Sequence, residues 1–329
     1  MKSAIHTGLK EMTIKETAIP QPAPNEYLVQ IKACAICGSD TWWNMEPWEN
    51  EAVHGHESAG VIVQAPEDGK YKIGDRVVCY AILGCGKCAY CRDGKPTLCG
   101  AKGFIEGGFQ EYAVFPEALL FPCPDEYDFT TASMLSDAIG VPLHGMRRLP
   151  PRTEDNVCVW GMGPLGLLQV MFLRAAGVRN IIALDTVKER LDKALELGAA
   201  HVLNASDPEL AANIRALTNG TGADKAYTYV RNDKATVQVF ETTRSEAEIC
   251  TFVGLDGQYT LPEYYERTLV WSFYFNPPEY PENLSFLKEG NIDLKPLVSH
   301  TFPLEKIQEA FRMRFEQPAL SNKIVITME

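Results

Sequence analysis

VCVWGMGPLG, residues 157–166, is a short apolar run that breaks into glycines spaced G-x-G-x-x-G at Gly161, Gly163 and Gly166. A helical stretch, Leu165–Ala176, follows at once. A second apolar run, Asn180–Leu184, comes next, and Asp185 stands at its end. An amphipathic helix is expected around Lys188–Leu197, with Gly198 as its stop. Strand, helix, strand, helix at this spacing implies a parallel sheet with helices on its faces. Alone, a glycine triplet says little. Between a strand and a helix it marks a dinucleotide site. The glycines let the backbone approach a diphosphate, the helix N-terminus supplies donors and a positive dipole, and the acid accepts a ribose 2′-hydroxyl. A carboxylate at Asp185 repels the 2′-phosphate of NADP, so the expected cofactor is NAD. Lys188 and Arg190 are near enough in sequence to oppose that preference.

Outward from this stretch, the chain has 329 residues, room for about two domains at about 150 residues each. Hydrophobic residues make up 46% and charged residues 22%, which excludes disorder, collagen and a coiled coil. The net charge of −12 repels phosphate backbones, so no nucleic-acid partner is expected. No membrane association is expected either. The longest uncharged stretch, Val157–Leu173, carries three glycines and Pro164 and is shorter than the ~20 residues of a span. The opening MKSAIHTGLKEM has no apolar run of secretory type, so the expected location is cytoplasmic. The part of the chain before Gly140 holds short β-rich runs, among them Tyr27–Lys32 and Gly60–Val63. RRLPPRTE at Arg147–Glu154 reads as a hinge, and KIVIT at Lys323–Thr327 as a closing strand.

Ten cysteines are present, and Cys79, Cys85, Cys88, Cys91 and Cys99 cluster in one short segment. The last four are spaced C-x2-C-x2-C-x7-C. Short x2 spacings present thiolates to one tetrahedral zinc, and an ion with four protein ligands pins a lobe without doing chemistry. The alternatives are two disulfides or a C-x-x-C redox pair. Disulfides are disfavoured without a secretory signal, and no thioredoxin-like context surrounds the pairs. Separately, CGSD runs from Cys37 to Asp40, and GHESAG runs from Gly55 to Gly60, with His56 and Glu57 inside it.

Together these motifs resemble the zinc-dependent medium-chain alcohol dehydrogenases, in texture closest to the sorbitol (polyol) dehydrogenases. The resemblance runs through CGSD, GHESAG, GDRVV (Gly74–Val78), the four-cysteine lobe, GGFQEYAV (Gly107–Val114), GMGPLG and KPLVSHTFPLEKIQEAF (Lys295–Phe311). It implies an α/β protein. A GroES-like β-rich catalytic domain, residues 1–140 and 291–329, would surround a Rossmann domain with a doubly wound parallel sheet, residues 141–290. It also implies NAD and two zinc ions per chain, one in the lobe and one catalytic. Cys37 and His56 correspond to ligands of the catalytic zinc. Asp137, seven residues before His144, stands at the position of the third ligand, and three protein ligands leave a fourth place for water or substrate. Glu57 is expected beside the metal as an alternate ligand or a group supporting the ligands, and Asp40 as a supporting partner. Asp137 can otherwise be read as the cap of a helix starting near Val141–Pro142. In the nucleotide half, Leu165 corresponds to the residue beside the nicotinamide, and Val253, Gly254 and Leu255 to the strand end near its carboxamide. Arg190 either lies along the adenosine or belongs to a solvated helix face.

The implied activity is hydride transfer between an alcohol and NAD, with the hydroxyl proton leaving through Ser39. Two positions depart from the family. Trp42 stands where many relatives carry a His five residues after the first zinc Cys. Tyr274 and Phe275 stand near the place of a substrate-binding Arg of polyol dehydrogenases. The segment Ala226–Glu246 also lacks the glycines usual there. Trp42, Trp43, Trp48, Tyr274 and Phe275 are the candidate substrate-pocket residues, although three tryptophans can equally be lobe packing. The expected substrate is a secondary alcohol on a sugar, sugar alcohol or cyclitol. Rival readings are a dehydrogenase of simple aliphatic or aromatic alcohols and aldehydes, and a non-catalytic NAD-binding protein with a single structural zinc. Relatives assemble through the nucleotide-binding sheet, so a homo-oligomer, dimer or tetramer, is expected.

Overall fold

In the computed structural model, which describes residues 1–46, 52–254 and 265–328, the run ahead of the glycines is the strand Asn156–Trp160. It lies inside a six-stranded parallel sheet. The order is His201–Asn204, Asn180–Asp185, Asn156–Trp160, Ala223–Thr228, Thr243–Thr251, Thr268–Trp271. Counted along the chain this is 3-2-1-4-5-6, the doubly wound dinucleotide-binding order. Ile181, Ile182, Ala183 and Leu184 are all buried, as a parallel strand covered on both faces demands. The helices Pro164–Ala175, Lys188–Glu196, Leu210–Leu217 and Asp233–Thr242 connect the strands. Trp160, Ile182, Leu184, Ile214 and Phe240 pack together as one of the cores of this unit. The segment without glycines still forms the fourth strand and the helix after it. That helix is capped by the Asn232 side chain, which accepts from the Ala235 amide at 3.1 Å.

This unit comprises Ile139–Phe275 and Glu282–Ile292. The other comprises Met1–Ala138, Asn276–Pro281 and Asp293–Glu329. Its main sheet runs Val298–Pro303, Lys323–Thr327, Glu26–Ala35, Glu57–Gln64, Arg76–Cys79, Leu120–Pro122, with Tyr112–Pro116 also paired to Glu26–Ala35. The first two strands are parallel and the other pairings antiparallel. Strand Glu26–Ala35 has three partners: Glu57–Gln64, Tyr112–Pro116 and Lys323–Thr327. In sequence, Tyr27, Val29 and Ile31 alternate only loosely with Leu28, Gln30 and Lys32, and the three partners explain it. Tyr27, Leu28, Val29, Ile31 and Ala33–Ala35 are all buried, so both faces of this central strand pack inward rather than one.

The register decides what meets at the strand's end. Ala35 pairs with Glu57 on one side and with Val325 on the other. Residues remote in sequence are thereby brought to the loop that carries Cys37.

Candidate metal and nucleotide sites

Cys37 leaves the central strand, while His56 and Glu57 enter its neighbour. Asp137 heads the helix Asp137–Arg148, which begins earlier than the proline suggests and holds Pro142 inside it. The alternative of a cap ahead of a helix near Val141 is therefore not what forms. At a helix N-terminus the macrodipole favours the Asp137 carboxylate. Cys37, His56, Glu57 and Asp137 are all buried, and their donor atoms lie within 4.8 Å of one another. His56 Nε2 is 3.0 Å and Cys37 Sγ 3.8 Å from Asp137 Oδ2. Zinc bonds of about 2.0–2.3 Å define tetrahedral edges of about 3.3–3.8 Å, so this donor set fits the ion.

The surroundings explain why such a cluster asks for a cation. Burial, then the charges of Glu57 and Asp137, push the Cys37 thiol up. Burial also raises Glu57, against the pull of Lys323. For His56, burial acts downward, but Asp40 and the hydrogen bonds of Asp137, Cys37 and Glu106 carry it well above its ordinary value. Without metal the site keeps protons where a divalent ion would replace them. Asp40 Oδ2 accepts from the Cys37 amide at 2.8 Å, and Asp40 Oδ1 lies 3.4 Å from His56 Nδ1. Asp40 thus holds the Cys37 amide and stands within ion-pair distance of His56.

Three further residues join the centre with little forewarning in sequence. Lys323, at 2% exposure, is ion-paired with the fully buried Glu57. Glu106 approaches His56 Nδ1 to 3.7 Å and hydrogen-bonds His54 Nδ1 at 2.6 Å. Burial opposes its ionisation, but the bonds from His54 and His56 hold it down at about 2. Phe104, half exposed, meets the His56 ring edge-on at 5.1 Å. The only sequence hint of the first is that Lys323 stands directly ahead of the apolar run Ile324–Ile326. Trp42, in the position of the family's His, stacks on His54 at 4.0 Å, and its Nε1–H donates to Asp40 Oδ1 at 3.3 Å. Trp43 is fully buried against Phe311, which is lobe packing rather than a pocket wall. Phe275 is also fully buried, its ring filling the space beside Gly140, and Tyr274 is nearly so. Trp48 lies outside the described residues. Ser39 is exposed, two residues after Cys37.

Cys85, Cys88, Cys91 and Cys99 bring four thiols within 4.8 Å, and all ten cysteines are free. Backbone amides of Lys87 and Cys88 hold Cys85 down at about 6. Amides of Cys85 and Ala101 also bond Cys99 Sγ, at 3.5 and 3.4 Å, and lower it. Amides aimed at sulfur stabilise thiolate, the form that binds metal. Burial instead pushes Cys91 up to about 11.

In the other unit, the three glycines have three different reasons. Gly161 has φ +88°, a backbone region that favours glycine. A Cβ on Gly166 would stand 1.9 Å from the Gly161 carbonyl oxygen, whereas one on Gly163 would meet nothing within 4 Å. Gly163 caps the helix Pro164–Ala175, so the open space lies at an N-terminus suited to a diphosphate. Asp185 ends the next strand. Its Oδ2 accepts from the Met162 amide at 2.7 Å, and its Oδ1 from Thr186 and Val187 at 2.7 and 2.9 Å. The acid therefore braces the glycine turn. Arg190 Nη1 lies 3.8 Å from Asp185 Oδ2 with the side chain 16% exposed, so it is not on a solvated helix face. Leu165, Val253 and Gly254 are half-buried, and Leu255 lies outside the described residues.

The comparisons agree with this geometry. The model of the alcohol dehydrogenase GroES-like domain matches residues 23–125, and that of the zinc-binding dehydrogenases matches residues 164–289. Sorbitol dehydrogenase of Bacillus subtilis is 28% identical, aligned over 94% of this chain and 92% of its own. L-idonate 5-dehydrogenase of Vitis vinifera is 31% identical over 92% of this chain and 88% of its own. A solved structure from Escherichia coli CFT073, described as a short chain alcohol dehydrogenase complexed with NADH, is 26% identical with a TM-score of 0.91 and covers 99% of each chain. Aligned nearly end to end with such relatives, this chain belongs to the zinc-dependent medium-chain alcohol dehydrogenase family and is an NAD-linked oxidoreductase.

Proposed function

We propose that the enzyme interconverts a secondary hydroxyl of a sugar, sugar alcohol or cyclitol with the matching ketone, and that Cys37, His56 and Asp137 hold its catalytic zinc. The observation that carries the ligand set is the close, buried convergence of the three donors with a spacing suited to zinc. The substrate class rests on relatives named for sorbitol and L-idonate. When bound, the two groups supply Lewis acidity toward the hydroxyl oxygen and a hydride acceptor. The residues do the rest. Asp40 orients both Cys37 and His56. Ser39 Oγ takes the hydroxyl proton and, being exposed, releases it to water. Trp42 cannot relay that proton, because an indole N–H only donates, here to Asp40, and has no lone pair to accept one. Phe104 offers a half-exposed ring to the C–H face of a polyol. Metal analysis with NAD reduction across polyols, cyclitols and simple alcohols tests the reading. Two zinc ions per chain and a preference for polyols are expected; a preference for simple alcohols sinks the substrate class, and one zinc with no turnover sinks the enzyme reading.

NAD over NADP follows from Asp185. Exchange for Ser should cost about 10–100-fold in kcat/KM with NAD, since hydrogen bonds to a charged group contribute about 1.5–3 kcal/mol, and should raise use of NADP as Arg190 is released. An unchanged NAD:NADP ratio of kcat/KM values would refute this.

We further read the enzyme as a homo-oligomer paired through Thr268–Trp271, the edge strand of the parallel sheet. Leu269 and Trp271 on it are 46% and 56% exposed and Phe273, just after it, 50%; among the described residues no strand pairs with its outer side, and an apolar open edge is a template for a second strand. Trp271→Lys should lower the mass seen in sedimentation equilibrium; a wild-type monomer would contradict the assembly. Among the described residues no helix is long and apolar enough to cross a membrane. The free thiols of both donor clusters need a reducing compartment, which favours the cytoplasm.

A further inference from the structure

Beyond the strand Thr268–Trp271, the chain groups with the glycine-turn unit up to Phe275, with the other unit over Asn276–Pro281, and with the first again from Glu282. The middle piece is tied down at the four-cysteine lobe. Thr97 Oγ1 donates to Asn276 Oδ1 at 2.7 Å, and both residues are buried. Gly94 packs so closely that a Cβ on it would stand 2.7 Å from Pro278 Cγ. The rest of Asn276 is held too. Its amide and Nδ2 donate to Glu279 Oε1 at 3.1 and 3.3 Å, and its carbonyl accepts from the Glu279 amide at 2.9 Å.

Phe275 is anchored by this piece one residue earlier. Its ring fills the notch at Gly140, where a Cβ would stand 2.2 Å from Phe275 Cδ1, and it has no exposed surface. Gly140 follows Asp137 by three residues on the helix Asp137–Arg148, and residues three apart are neighbours on one helix face. A ring wedged at Gly140 therefore bears on the turn that carries Asp137. Resting on the reading of Cys37, His56 and Asp137 as ligands, we propose that the four-cysteine lobe, acting through Thr97, Asn276 and Phe275, sets the position of Asp137 and with it the metal affinity of the catalytic centre. These three are positioning residues, and none is a metal donor. Without the Thr97 hydroxyl, the buried Asn276 oxygen loses its partner, the segment shifts to find another, and the wedge at Gly140 moves with it.

The test loads full-length enzyme with cobalt(II) in both centres. A four-thiolate site and a one-thiolate site give separate visible bands, so a chelator titration reads each affinity. Thr97→Val, nearly the same shape without the hydroxyl, should weaken cobalt binding at the one-thiolate centre about tenfold, the scale of an outer-shell change, and leave the four-thiolate bands unchanged. Thr97→Ser, which keeps the hydroxyl, should hold cobalt as the wild type does. Gly140→Ala, which meets the Phe275 ring, should weaken the same centre by at least about tenfold. Where these variants do not fold, wild-type protein decides. A mercurial reaches the partly exposed lobe thiols before the buried Cys37, and stripping the lobe should loosen cobalt at the other centre. A merely structural bond would lower Tm and leave the one-thiolate affinity unchanged. An unchanged affinity in Thr97→Val, in Gly140→Ala or after stripping overturns the proposal, as does an equal loss at both centres in Thr97→Val. Wild-type protein that takes cobalt only into the four-cysteine lobe overturns instead the ligand reading beneath it.

Discussion

Cys37→Ala should reduce bound zinc from two ions per chain to one and lower kcat by at least about 10³-fold, the scale of several kcal/mol that a Lewis acid supplies to developing charge. The reason is the donor count. Removing Sγ leaves His56 and Asp137, while Glu57 is engaged by Lys323. Two donors do not retain the ion, and the cluster returns to holding protons. The lobe should be unaffected, because its four thiols converge independently. Metal analysis beside steady-state kinetics checks both halves. Turnover persisting in a protein with a single zinc would mean that Cys37 is not a catalytic ligand.

Gly166→Ala should weaken NADH binding by at least about 100-fold, which is about 2.8 kcal/mol, and leave both zinc ions in place. The added methyl would stand 1.9 Å from the Gly161 oxygen and 2.9 Å from its carbonyl carbon. Neither neighbour is a flexible side chain. Either the helix Pro164–Ala175 or the turn before it must retreat by more than about an ångström, well beyond van der Waals tolerance. That turn is tied to Asp185 through the Met162 amide, so the shift reaches both the turn and the acid. Fluorescence titration with NADH measures it. Affinity within twofold of wild type would show that the turn does not cradle the cofactor. Because Cys37 and Gly166 belong to different units, the two substitutions should fail in different assays.

Most of the nucleotide half was legible because its logic is local. The strand Asn156–Trp160, the glycine turn, the helix Pro164–Ala175 and the acid at Asp185 follow one another without interruption, and each was read within a residue or two. The helix at Asp137 was less legible. Pro142 suggested a start near residue 141, but the helix begins at Asp137 and tolerates the proline inside it. The tryptophans show the limit of composition. Trp42 and Trp43 are adjacent, yet one stacks on His54 and the other is lost in the core against Phe311. Nothing in an aromatic pair says which ring will face which way.

By itself, the sequence determined the family, the four-thiol lobe and the glycine turn. In the lobe and the turn the groups concerned lie close along the chain, and in the family motifs the short spacings do the same, so local chain geometry restricts where they can go. Only the tertiary structure decided how the catalytic donors close. Asp137 is 100 residues from Cys37, and Lys323 is 266 residues from Glu57. They meet because Ala35 pairs with Glu57 on one side and Val325 on the other, and because a helix N-terminus delivers Asp137 to the same end of the sheet. Spacing along the chain carries no trace of such a register. It is set by which strands bury their faces together, and that same pairing seals an ammonium group beside a carboxylate at the metal centre.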